Sequence, residues 1–288
     1  MIYPAFAPLA RTGDPVLVPD RGRSGTAWRR RALSWALTVL GLALAVLAWA
    51  AASGSSTGDF QLVPTPAATF TALAQLLRSP DFLADLAASL ERIGMGFALS
   101  MATGLVLGAA IGVSRSLSAL LGGIIDALKY TPVTTFIPLT ILWFGVGDLQ
   151  KVVVLGLGTA PYLAAMVADA IRATRTEYVH GARTLGAGTL TIVWRVVVPS
   201  AAPQVWQAGR LSFAIAWTYL VTAELVGANQ GLGRFLVLSE RFIHIADMFA
   251  ATVVIGCIGF VSDILFRLAY RRLFPWMLHA TGQGRDGV

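Results

Sequence analysis

Charge is scarce in this 288-residue sequence: Asp, Glu, Lys and Arg together make up 13 %, against about 25 % in an ordinary soluble domain. That shortfall argues against a typical soluble enzyme. Cysteine occurs once, at Cys257, which excludes an intramolecular disulfide and any multi-cysteine metal cluster. The histidines His180, His244 and His279 stand too far apart for a local metal motif. Lysine occurs only at Lys129 and Lys151, neither preceded by the glycine of a phosphate-binding P-loop, so this chain supplies no such loop. Gly54-Ser55-Ser56-Thr57-Gly58 fits the letters of a nucleophile elbow but lacks the strand before it and the helix immediately after it, and reads as a flexible loop. No catalytic residue and no metal site is expected.

What the chain has instead is apolar length. Apolar residues are 56 % of it, and the net charge of +7 comes from arginines dealt out between long apolar runs, not from a basic patch with interleaved aromatics. Residues 32–52 carry no charge over 21 positions, which as a helix reaches about 31 Å, the thickness of a bilayer core. Further helix-length runs occupy 92–113, 119–144, 152–171, 203–226 and 246–266. The expected fold class is therefore an all-α polytopic membrane protein with six transmembrane helices.

An even number of crossings puts both ends on one side. The loops on that side hold fifteen Lys and Arg against four on the other, so both termini are expected in the cytoplasm. Arg29, Arg30 and Arg31 followed by Ala48-Trp49-Ala50 resemble a cleaved leader, but the apolar stretch is too long, which favours a retained helix. The resulting division is a mobile cytoplasmic tail over 1–31, the first transmembrane helix over 32–52 and an external loop with an amphipathic helix over 53–91. A transmembrane core follows over 92–276, including a cytoplasmic loop at 173–202, then a cytoplasmic tail over 277–288. In the external loop Thr65-Pro66 and Ser79-Pro80 are helix starts, each a capping hydroxyl followed by proline at the first helical position. Phe70, Leu73, Leu76 and Leu77 give the first of these helices an apolar side, and the second is expected to run on into the second span.

Within that span Gly96, Ser100, Gly104, Gly108 and Gly112 recur every fourth residue and form one ridge of small side chains. Close helix contact within one subunit is favoured over a seam between two copies. Asp126 and Lys129 are spaced to pair on a helix, and Asp169 and Arg210 lie where snorkelling accounts for them. Glu224, near the outer end of the fifth span, reads equally as a hydrogen-bonded structural group or as part of a gate. The third span carries Thr131, Pro132, Thr134, Thr135 and Pro138 near its middle. That is either a kink packed by neighbours or a polar segment of a translocation path, whose candidate residues are Lys129, Thr131, Thr134, Thr135, Trp217, Thr218 and Glu224.

The loop between the fourth and fifth spans is longer than a connection needs to be. Thr174 and Glu177 are placed to form a capping box, Gly186 to end that helix, Thr189 to cap a second and Pro199 to bound it. Two short helices result, with Leu190, Ile192, Val193, Trp194 and Val196 offering apolar surface to a soluble partner.

Tyr178 to Ala187 followed by Val196-Val197-Val198-Pro199 resembles the membrane permeases of binding-protein-dependent ABC importers, whose signature is E-A-A, three residues, G, nine residues, then I-x-L-P. The matching positions are His180-Gly181-Ala182, Gly186, Val196 and Val198-Pro199, with the spacing kept and His180 in place of the acid. Leu86 to Ile93, Ile137 to Gly147, Thr222-Ala223-Glu224-Leu225 and Gly231-Leu232-Gly233 resemble the taurine, aliphatic sulfonate, nitrate and bicarbonate branch. The resemblance implies the type I importer permease fold and a bacterial inner-membrane homodimer carrying a small anion (a sulfonate, nitrate, bicarbonate or organic acid). Two ABC ATPase subunits would dock on a coupling loop that includes Glu177, His180, Gly181, Ala182, Leu185, Gly186, Ala187, Trp194 and Pro199, and an extracytoplasmic binding protein would deliver the solute. ATP and magnesium would sit on the ATPases and no cofactor on this chain; the lipid bilayer is the remaining partner, and nucleic acid is none. The alternative is a stand-alone secondary transporter, which would need coupling-ion sites at broken helices and often two inverted halves; the sequence shows no convincing internal repeat.

Overall fold

A computed structural model describes residues 24–54 and 62–280. Most of the expected N-terminal tail, the Gly/Ser loop beyond Gly54 and the last eight residues lie outside the described residues. Every regular element among the described residues is helical, and the chain divides into two units, 1–60 and 61–288.

In the first unit, α1 (Ser24–Gly54) starts ahead of the expected span and takes in the three arginines. Its stretch Trp35–Ser53 has a mean hydropathy of 2.1 and carries apolar residues on every side, the pattern of a helix meant for lipid rather than for a single core.

The second unit opens with α2 (Pro66–Leu76) and α3 (Pro80–Val113), both begun as the sequence indicates. Thr65 accepts a hydrogen bond from the Ala68 amide at 3.1 Å, and Ser79 caps α3 in the same way. The amphipathic side of α2 differs from expectation: Thr69, Ala72 and Leu76 are buried, whereas Phe70 and Leu77 stand exposed. Residues three and four apart share a helix face, and 69, 72, 73 and 76 form that stripe.

After α3, α4 (Arg115–Tyr130) turns back, capped by Ser114. The expected third span is not one helix. Thr131 is extended, as the residue before Pro132 must tend to be. A single 3-10 turn over Val133–Thr135 follows, and then α5 (Phe136–Phe144). Pro138 sits in the first turn of α5, where its missing N–H forfeits no helical bond.

Helix α6 (Asp148–Arg172) is the axis of the unit. Gly96, Gly104 and Gly112 of α3 face Leu155, Leu163 and Ile171. Both numbers rise together, so α3 and α6 run parallel. Helix α4 is antiparallel to α6, since Ser118 meets Arg172 and Lys129 meets Tyr162.

Three short elements lead onward: α7 (Thr176–Thr184), α8 (Thr189–Ile192) and a π-helical turn over Val193–Val197 that passes directly into α9 (Val198–Glu224). Then α10 (Leu232–Arg241), α11 (Ile245–Leu273) and α12 (Pro275–Ala280) close the chain. The core joins α2, α3, α6, α9, α10 and α11 through Ala72, Leu76, Phe82, Ile93, Leu155, Trp217, Leu220, Leu232 and Val254. Among the described residues four helices, α1, α3, α6 and α11, are long and apolar enough to cross a membrane.

Candidate functional site

At one end of the unit a buried polar network ties four elements together. Arg92 of α3 gives Nη1 to Glu224 Oε1 at 2.8 Å and to the Gln230 carbonyl at 2.6 Å, and Nε to Asp148 Oδ1 at 2.7 Å. Glu224 is wholly enclosed and also receives the Ser89 hydroxyl and the Gly233 amide. Asp85 and Ser89 take the amides of Gly231 and Leu232 at 2.7 and 2.8 Å. Helix α10 thus has its first N–H groups satisfied by side chains of α3 and α9, because its own N-cap residue is Gly231. The carboxylates at this helix N-terminus also meet the favourable end of its dipole. Two glycines are obligatory here. Gly231 holds φ +126°, a Cβ there would lie 2.5 Å from Glu224 Oε1, and one on Gly233 would lie 2.5 Å from Glu224 Cβ. Lys151, buried beside the network, donates to the Gly147 carbonyl at 3.2 Å.

Glu224 is therefore a fully hydrogen-bonded group. The sequence reading did not single out Asp85, Ser89, Arg92 and Asp148, the other side chains of this network. Residues 85, 89 and 92 have the spacing of one polar stripe on an otherwise apolar helix, which is the signal that would have found them.

The break between α4 and α5 presents Thr134 and Thr135 to the outside, and Thr131 is half-buried. Thr131 and Thr135 bond backbone carbonyls of Ala127 and Pro132. Thr218 is exposed on α9, but Trp217 points the other way, into the core with Leu155 and Leu220. Val133 and Ile137 belong instead to a cluster with Val154 and Ala223. Trp217 and Thr218 thus face different ways, since adjacent residues on a helix point about 100° apart. Lys129 pairs with Asp126 at 2.7 Å. Arg210 does more than snorkel: it pairs with Asp263 of α11, which also holds Arg267. Asp169 faces Arg172 at 3.6 Å.

The opposite end carries the helical excursion 173–202. Gly186 at φ +81° ends α7, with its amide on the Arg183 carbonyl at 2.9 Å and the Ala187 amide on Ala182 at 3.0 Å. Such a left-handed C-terminal turn favours glycine. Four details correct the sequence reading, the first being that Ile192, expected on the exposed apolar surface, is buried. Thr174 and Glu177 form no capping box: Arg175 is the N-cap, without a side-chain bond, and Glu177 pairs with Arg175. Gly188, not Thr189, precedes α8. Pro199 bounds nothing, because it sits in the first turn of α9, where proline is tolerated. His180, Gly181 and Glu177 are exposed, Ala182 and Ala187 half-buried, and Leu185, Leu190 and Trp194 stand 89, 72 and 65 % exposed.

A family profile described as the binding-protein-dependent transport system inner membrane component matches residues 100–279. The chain belongs to that family. Among its relatives is the taurine transport system permease protein of Escherichia coli, 30 % identical over 66 % of this chain and 70 % of that one. The putative aliphatic sulfonates transport permease protein of Bacillus subtilis is 28 % identical over 86 and 90 %. The bicarbonate transport system permease protein of Synechococcus elongatus is 24 % identical over 61 and 64 %. Among solved structures, an inward-facing methionine ABC transporter matches with a TM-score of 0.61 at 22 % identity, covering 69 % of this chain and 97 % of that one. A bacterial alginate ABC transporter in complex with alginate-bound periplasmic protein matches at 0.61 and 11 %, covering 86 and 96 %. These structural likenesses establish the fold as that of importer permeases. The protein is an inner-membrane permease component of a binding-protein-dependent importer, and the excursion with the spacing of the family signature is part of that permease.

Proposed function

We propose that this permease crosses the membrane six times with both termini in the cytoplasm, works as a pair of copies, and carries a small anion of the sulfonate, nitrate, bicarbonate or organic acid class. An extracytoplasmic binding protein delivers the solute, and two ATPase subunits holding ATP and magnesium dock on residues 173–202. The reversal of α4 between the parallel helices α3 and α6 supports the crossings, and the arginine count supports their orientation. The names of the relatives support the solute class.

The observation that carries the docking reading is the excursion itself. Two short helices stand out from the bundle with Leu185, Leu190 and Trp194 uncovered, held by a glycine turn and continuous with α9 through the π-helical turn. An exposed apolar set rimmed by polar residues marks a protein contact, and its continuity with α9 lets a push on the excursion move a membrane helix. Gly186→Arg forces a non-glycine residue into φ +81° and adds bulk to the turn. The expected result is loss of ATP-driven uptake with normal membrane insertion. Normal uptake by a well-expressed Gly186→Arg protein would sink the docking assignment.

A further inference from the structure

The groove between α4 and α6 is polar where a bilayer is least tolerant of charge. It encloses about 360 Å³, and Ser118, Gly122, Asp126 and Lys129 of α4 line it opposite Asp169 and Arg172 of α6. The depth follows from Tyr162, whose hydroxyl donates to the Lys129 carbonyl at 2.6 Å. Tyr162 lies fourteen residues from one end of α6 and ten from the other, so Lys129 sits about 15 Å from the nearer end, close to mid-membrane. The Asp126 side chain beside it is 62 % exposed and that of Asp169 is 77 % exposed. A carboxylate left open at the depth of Asp126 is costly against lipid even beside its lysine and calls for water, whereas Asp169, three residues from the end of α6, lies at the mouth of the groove.

Each cation of the groove is matched on its own helix by a carboxylate three residues earlier: Asp126 with Lys129, Asp169 with Arg172. A wall of one sign would hold an ion of the other sign too tightly, and conduction needs weak contacts that let the solute leave. Resting on the reading of this chain as an importer permease, we propose that the α4–α6 groove is a water-filled, charge-balanced wall of the solute path, which an anion passes without being bound. The carboxylates offset Lys129 and Arg172, and Gly122 and Gly123 leave open the space that Cβ atoms would narrow; nothing lies within 4 Å of either position.

The test places a cysteine at 122 in a Cys257→Ala background, within transporter that still takes up solute, in membrane vesicles of both orientations. Two water-soluble methanethiosulfonates of similar size are compared, one bearing a sulfonate and one a trimethylammonium group. Both are expected to label Gly122→Cys at rates within about threefold of each other, as a balanced wall requires. Asp126→Asn should then favour the anionic reagent by about tenfold, and Lys129→Gln should favour the cationic one, because a unit charge a few ångströms away in partly screened surroundings is of that order. Labelling by a membrane-permeant maleimide alone would place the groove against lipid and overturn the proposal. Cross-linking to a second copy without labelling would make it a dry seam and overturn it too, as would a reagent preference indifferent to both charge changes. Labelling with the expected preferences, but only from the outer face, upholds the wall and removes the proposed orientation instead.

Discussion

Replacing Gly108 by alanine adds one methyl group to α3 at its tightest approach to α6. The added Cβ would lie 2.6 Å from the Ala164 carbonyl oxygen and 2.6 Å from Val167 Cβ, about 1 Å inside ordinary carbon contact. The carbonyl is locked in the α6 backbone, and Cβ of Val167 moves only with its main chain, so no rotamer change relieves the clash. The helices must separate. Overpacking of this kind costs about 1–3 kcal/mol, and the rigid partner puts Gly108→Ala at the upper end. At Gly104 the crowding atoms are Cβ, Cγ and Cδ2 of Leu163, each at 2.9 Å; the outer two can turn aside and the Cβ contact is looser than at Gly108, for a cost of about 1–2 kcal/mol. Gly94, on the same helix with nothing within 4 Å, should gain about 0.5–1 kcal/mol from alanine's helix preference. Denaturant titration of purified protein in mild detergent should order the variants Gly94→Ala, wild type, Gly104→Ala, Gly108→Ala from most to least stable. Equal stability of the Gly94 and Gly108 variants would refute the close parallel packing of α3 and α6.

Arg92→Met leaves the enclosed Glu224 carboxylate without its cation and should destabilise the folded protein by about 3–5 kcal/mol in the same titration. Asp148→Asn, at a partner 65 % exposed, should cost about 0.5 kcal/mol or less. Asp263→Asn should lower stability more than Arg267→Ala, because Asp263 also holds Arg210 of the neighbouring helix, and thermal scans of both variants check this. Cysteines at 134 and 218 should react with a water-soluble thiol reagent in the assembled transporter, whereas one at 217, inside the core, should react only after denaturation.

Much of the architecture was legible because lipid simplifies the code. A run without charge long enough to span must be a helix, since backbone groups have no other partner there, and hydroxyl-proline pairs at 65–66 and 79–80 announced two helix starts correctly. The ridge at 96–112 was visible as a period of four, although its partner α6 was not. The sequence places Thr131 to Pro138 within one span, as a kink or as a polar stretch of the path, and the structure divides that span into two helices, because Thr131 is driven extended before the turn. Depth alone makes Trp217 a candidate for the path, and depth does not fix which side of a helix a residue faces; its side chain lies in the core.

The sequence by itself determined the family, the membrane setting and the spacing of the exposed excursion, all of which rest on composition and on positions near one another in the chain. Only the tertiary structure decided what Glu224 does. Its partners Ser89 and Arg92 lie 135 and 132 residues away, and no local pattern records that α3 and the end of α9 will meet over the first turn of α10. A buried carboxylate needs its cation and amides in three dimensions, so its role is a property of packing, fixed when α3, α6 and α9 come together.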